Sequence, residues 1–117
     1  MTRLTYESHN NGSMVRLALA GEFDLSNAAQ VEDALKEIEN EHPPLLVLDL
    51  RELTFMDSTG LRVMVSADAR ARDDSRRLAV VQGPESVHRV FRITGLDDHL
   101  EMVETPEAAV HSDGAAR

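Results

Sequence analysis

Cysteine and tryptophan are absent from this 117-residue chain, and its aromatic rings are those of one Tyr and three Phe. Without cysteine there is no disulfide, no thiolate metal site and no cysteine nucleophile. With so few rings, a core must be filled by Leu, Val, Ile, Met and Ala. Hydrophobic residues make up 42% of the chain, enough for one domain of this length. Long apolar runs are missing as well: none approaches the ~20 residues of a membrane span, and the N-terminus carries no signal-peptide core. Positive charge is also scarce. The 12 Lys and Arg face 21 Asp and Glu, a net charge of −9. That balance disfavours nucleic acid and anionic membranes, both of which call for a basic footprint. A protein partner or a small ligand remains, and the expected location is the cytoplasm.

What is present alternates in period. Leu4–Ser8 and Met14–Ala20 flank Asn10-Asn11-Gly12, a turn sequence that tolerates positive φ, so the chain opens with a hairpin. Val15, Leu17 and Leu19 alternate with Met14, Arg16 and Ala18, as in a strand with one better-buried face. Gly21 is expected to end that strand. Ser26 or Asn27 caps a helix running to about Asn40, whose stripe Ala28, Val31, Ala34, Leu35 and Ile38 recurs every three to four residues. Pro43 and Pro44 lead into Leu45–Leu50, an apolar run interrupted only by Asp49, which reads as a central strand buried on both faces.

A short loop is then expected, followed by a helix from about Ser58 to Arg72 and a strand at Leu78–Val81. Pro84 opens another helix, with Val87, Val90 and Phe91 inward and Gly95 as a left-handed stop backed by Leu96. Leu100–Val103 is a last strand, and the remainder begins as a weak helix and frays over about 111–117. The order β-β-α-β-α-β-α-β makes an α/β domain on a mixed sheet, one domain over 1–117 with a core of about 3–110. The first strand pair is antiparallel and the later strands, separated by helices, are parallel.

The stretch FMDSTGLRVMV, Phe55–Val65, stands where a buried strand gives way to a helix. Ser58 or Asp57 there is an ordinary helix cap. The same position is the carboxyl end of a strand, where open α/β sheets place their sites, and it offers the positive end of a helix dipole with unpaired amides. Nucleophilic catalysis by Ser58 lacks support, because Met56 stands where a GxSxG elbow needs its first glycine. The five histidines are scattered and show no metal-ligand spacing. No GxxxxGKS/T phosphate loop occurs. The chain therefore reads as a non-enzyme with no catalytic residue, no metal and no cofactor.

Three segments together resemble the bacterial anti-sigma factor antagonists of the STAS-domain family: LTFMDSTGL (53–61), LAGEFDLSNA (19–28) and VHRVFRITGLDDHLEMVET (87–105). The resemblance spans nearly the whole chain. It implies a partner-switching module that, unphosphorylated, binds an anti-sigma factor that is also a serine kinase. Phosphorylation releases it, and a PP2C-type phosphatase resets it. Carried over by position, Ser58 matches the phosphoacceptor, and Asp57, Ser58, Thr59, Gly60 and Leu61 match the partner-binding motif. Asp24 matches a loop carboxylate lying near the acceptor; its competing use is a turn that bonds its own backbone. The resemblance also implies a monomer that docks onto a dimeric kinase. Two other readings stay open: a non-switching STAS subunit of a signalling assembly or lipid transporter, and a small-ligand-binding STAS module.

Overall fold

The hairpin forms where the Asn-Asn-Gly turn places it. In the computed structural model, which describes residues 3–111, β1 (Leu4–Asn10) and β2 (Val15–Phe23) pair antiparallel. The Asn11 side-chain oxygen accepts from the Ser13 and Met14 amides at 3.2 and 3.0 Å, and Gly12 supplies a positive φ of 95°. Then come α1 (Ala28–Glu39), β3 (Leu45–Met56), α2 (Ser58–Asp73), β4 (Arg77–Val81), α3 (Glu85–Thr94), β5 (Glu101–Val103) and α4 (Pro106–His111). The five strands stand in sequence order, and every pair after the first is parallel. It is a single α/β domain with helices on both faces of a mixed sheet.

The two faces are unequal. Leu17, Leu19, Leu46, Leu48 and Val80 point toward α1, α2 and α3 and form the main core with Val31, Leu35, Met64 and Phe91. On the other face, among the described residues, α4 is the helix that packs, its Ala109 lying against Leu45, Val47, Ala79 and Val81. The last described helix buries Pro106 and Ala109, and Arg77 ties it to the sheet. The Arg77 guanidinium donates to the buried Glu101 carboxylate of β5 and, at 2.9 Å, to the Ala109 carbonyl of α4. The tail expected to fray lies outside the described residues beyond His111.

All six residues Leu45–Leu50 are buried, as a central strand requires. Two boundary expectations are corrected. Gly21 does not end β2: it sits inside the strand at φ 102°, where a Cβ would come within 2.2 Å of the Arg3 carbonyl oxygen. Nor does a loop follow Leu50, because β3 continues beside β2 to Met56, paired with Phe23. Register shifts at Ala18/Ala20 and Gly21/Glu22 absorb the mismatch between the two strands. Such bulges bend and twist a strand and can re-aim its side chains. Pro84 is the cap preceding α3 rather than a residue of its first turn, and Gly95 ends that helix at φ 77° as expected.

Candidate functional site

The site is built where β2 and β3 end together. The Asp57 amide donates to the Phe23 carbonyl at 3.2 Å, which pins the start of α2 to the end of β2. Asp57, not Ser58, is the cap: its Oδ1 accepts from the Thr59 and Gly60 amides at 2.9 and 3.1 Å. Gly60 is buried, and a Cβ there would lie 2.9 Å from Met56 and 3.0 Å from Phe23. Glycine is what lets the helix start sit directly on those two core side chains. Leu61 is buried as well, 6% exposed, so it supports the helix start from within the core. Thr59 is half-buried.

Ser58 is left as the exposed hydroxyl of this turn, and among the described residues its side chain has no hydrogen-bond partner. The helix start is less inviting to an anion than the sequence implied. The amides of Asp57, Thr59 and Gly60 are already satisfied, and the capping carboxylate lies beside Ser58. Four residues on, the exposed Arg62 shares the Ser58 side of the helix, since positions i and i+4 are neighbours on a helical surface.

Asp24 belongs to the loop between β2 and α1. Its Oδ1 accepts from the Ser26 amide at 3.0 Å and from the Ser26 hydroxyl at 2.7 Å, so the turn-bonding use anticipated for it is real. It also lines, with Asp57, a shallow hollow of about 450 Å³. Asn27 is the residue at the α1 cap position, but its side chain does not cap. It accepts from the Asp24 amide at 3.0 Å and donates to the Glu22 carbonyl at 2.8 Å, so its buried side chain fixes the Asp24 loop instead.

Two residues that sequence reasoning did not single out complete the hollow. Leu25 is 76% exposed and Phe55 48% exposed, and both line it beside the two aspartates. The available signal was an apolar residue in each of the two segments that flank acidic motif positions, one in Asp24-Leu25-Ser26 and one in Phe55-Met56-Asp57. The rim is therefore apolar and acidic, with no Lys or Arg among its lining residues. Among the described residues, no group of three or more His, Asp and Glu could hold a metal ion, and no helix is long and apolar enough to cross a membrane.

A STAS-domain family model, described as "Mlab, STAS domain", matches residues 8–104. The chain is similar to the anti-sigma-B factor antagonist of Listeria monocytogenes, at 35% identity over 88 residues, 75% of this chain and 77% of that protein. Among solved structures, an anti-sigma factor antagonist from Mycobacterium paratuberculosis matches with a TM-score of 0.85 at 24% identity, covering 92% of both chains. SpoIIAA in its unphosphorylated form matches with a TM-score of 0.78 at 19% identity, covering 91% of this chain and 93% of that one. Its phosphorylated form, from Bacillus, matches at 0.70 and 18%, covering 91% and 96%. At such identities the solved structures speak for the fold. With the family match and the Listeria relative, the chain belongs to the STAS-domain family, in its anti-sigma factor antagonist branch.

Proposed function

We propose that the chain is a partner switch: unphosphorylated, it binds an anti-sigma factor that is also a serine kinase, and phosphorylation of Ser58 releases it. The observation that carries this reading is the division of labour in the first turn of α2. Asp57 does the capping, which leaves the Ser58 hydroxyl exposed and unused by the fold. Around it, Asp24, Leu25, Phe55 and Asp57 supply the contact surface, and Thr59, Gly60 and Leu61 hold the turn in place. The protein works as a cytoplasmic monomer, and a PP2C-type phosphatase restores the hydroxyl. The phosphorylated form of SpoIIAA, which shares this fold, is in keeping with such a cycle.

A phosphate adds roughly −1.5 to −2 charges near pH 7. Here it would arrive beside the Asp57 carboxylate with few free amides to receive it. The helix dipole offsets only ~0.3–1 kcal/mol at an exposed position, and Arg62 is the nearest cation along the same helix face. In a bound complex the same group would be desolvated, at a cost of several kcal/mol. A penalty of about 4 kcal/mol weakens binding roughly a thousandfold. The fold survives and the complex does not.

The test pairs affinity for the cognate kinase with thermal stability. Ser58→Ala should fold and bind like wild type and take up no phosphate, because the side chain it loses makes no cap bond. Ser58→Asp should fold equally well and bind at least ~30-fold more weakly, about 2 kcal/mol. Thr59→Ala should remain a phosphate acceptor. Tight binding by Ser58→Asp, together with phosphorylation of Ser58→Ala, would rule Ser58 out and favour a non-switching STAS subunit.

A further inference from the structure

At the far end of the sheet from Ser58 lies a groove of about 570 Å³ between β1 and α1. Its floor is Val15 and Leu17 of β2, one wall is Tyr6 and Ser8 of β1, and the other includes Ala34 and Ile38 of α1. The groove exists because β1 is the outermost strand of the sheet, and Tyr6, which faces the helical side, is left 44% exposed. Along the α1 wall run Asp33 and Glu37, four residues apart, and Glu41 continues the line in the turn just after the helix. That spacing aligns carboxylates on one side of a helix. Elsewhere on the same helix the acids are answered internally: Glu32 and Glu39 both meet Arg70 of α2, at 2.8 and 2.7 Å. Asp33, Glu37 and Glu41 make no ion pair among the described residues, and no Lys or Arg lines the groove.

We propose that this groove docks a basic amphipathic helix of a protein partner, independently of the switch at Ser58. Charge complementarity selects the occupant. A second copy of this chain, at net charge −9, would bring acid against acid. A helix suits the shape, because the floor is the face of the sheet and one wall is already a helix, so a guest would lie beside α1 as α1 lies beside α2. From Asp33 to the end of α1 at Glu39 the helical wall is ~9 Å long at ~1.5 Å per residue, and Glu41 extends it, so about two turns of a partner helix fit. Its apolar residues would rest on Tyr6 and Ile38, and its Lys and Arg would meet the three carboxylates. Val15 pairs with Leu46 near the beginning of β3, whereas Ser58 follows Met56 at its end. At ~3.3 Å per strand residue the two surfaces are ~30 Å apart, several Debye lengths at physiological salt. Occupancy of the groove therefore does not depend on the charge at Ser58.

The probe is a synthetic Leu/Lys amphipathic peptide of about 14 residues, long enough to become helical on a surface. It is titrated into the isotopically labelled full chain at about 0.15 M salt, with a scrambled peptide of the same composition as control. The expected result is amide shifts confined to β1 and the groove side of α1, with weaker binding of the scrambled peptide. Asp33→Lys/Glu37→Lys should weaken the amphipathic peptide by roughly tenfold or more. Asp98→Lys/Glu104→Lys, exposed positions with the same change in net charge, should leave it unchanged. Absence of binding, shifts spread over other faces, equal binding of the scrambled peptide, or equal weakening by both double variants would overturn the proposal. Shift mapping uses the unaltered sequence and so does not depend on the variants folding. A Ser58→Asp chain should bind the peptide like wild type, which separates failure here from failure of the switching reading.

Discussion

The two halves of β3 are made from one continuous strand and do opposite things. Leu45–Leu50 is buried on both faces; Arg51–Met56 buries only Leu53 and Met56 and exposes Arg51, Glu52, Thr54 and Phe55. Each half ends near an aspartate with two partners. Asp49 holds two cations, with Arg16 at 3.0 Å and Arg51 at 2.7 Å. Asp57 holds two backbone amides and, among the described residues, no cation. The first arrangement neutralises a carboxylate inside the fold. The second uses a carboxylate to complete a helix and leaves its charge at the rim of the hollow. A strand can thus serve as core at one end and as contact surface at the other, provided the neighbouring strand and the cap hold the exposed end in place.

If that division is right, stability should fall most in the lower half and binding most in the upper. Leu48→Ala, in a fully buried position, should cost ~2–5 kcal/mol in denaturant unfolding, with affinity for the anti-sigma factor unchanged for the folded fraction. A loss under ~1 kcal/mol would mean that the lower half is not the structural one.

Asp49→Asn should cost about 1.5–3 kcal/mol near neutral pH, the range for hydrogen bonds to a charged group. Burial by itself raises the Asp49 pKa, but hydrogen bonds from the Arg51 side chain and amide, the Arg51 charge and the Arg16 hydrogen bond outweigh it, so the carboxyl lies below its ordinary 3.8. A folded value below the unfolded one stabilises the protein above pH 3.8 and loses that contribution as pH falls through the folded value. Stability curves of wild type and Asp49→Asn, measured against pH, should converge in acid. A gap that persists there would assign the loss to packing.

Asp57→Ala removes the α2 cap and should cost ~1–2 kcal/mol. Its effect on affinity for the anti-sigma factor should exceed that, because the Ser58 turn loses its fixed position; equal losses would reduce Asp57 to a cap alone. The smallest change in stability is expected for Phe55→Ala, within ~0.5 kcal/mol for an exposed position. Affinity for the anti-sigma factor should nevertheless drop at least about tenfold, because a half-exposed ring on an apolar rim is the type of side chain that anchors interfaces. Unaltered affinity would remove the hollow from the contact surface.

The same contrast explains what could be read from the sequence. The lower half of β3 announces itself as an apolar run, and the hairpin, the helix stripes and the Gly95 stop follow local rules that tertiary structure did not override. The upper half was read as a loop because Leu50, Leu53 and Met56, all in the main core, are spaced by three, and a strand is recognised by spacing of two. Bulges against β2 produce that spacing, and a bulge is a property of two strands together. Gly21 misled for the same reason, since its positive φ serves a close approach by the Arg3 carbonyl that only the folded hairpin creates. At the site, the place of Ser58 at a helix start and of Asp24 in a turn was legible from the sequence, whereas the assignment of the cap to Asp57 and of Asn27 to the loop depended on where the side chains turned. Leu25 and Phe55 escaped notice because an exposed apolar residue differs from a buried one only once the fold is known.

Gly60 seats the start of α2 against Phe23 and Met56 with no room for even a methyl group. Ser58 is therefore mounted on a rigid base, and a charge placed on it has no soft joint through which to loosen the domain. In calorimetric terms, modification at Ser58 should leave the heat capacity of unfolding and the denaturant m-value as they are, because both track the surface exposed on unfolding. The change should be confined to the heat and free energy of association. A signal carried in this way is reset as soon as the charge is removed, without waiting for any part of the chain to refold.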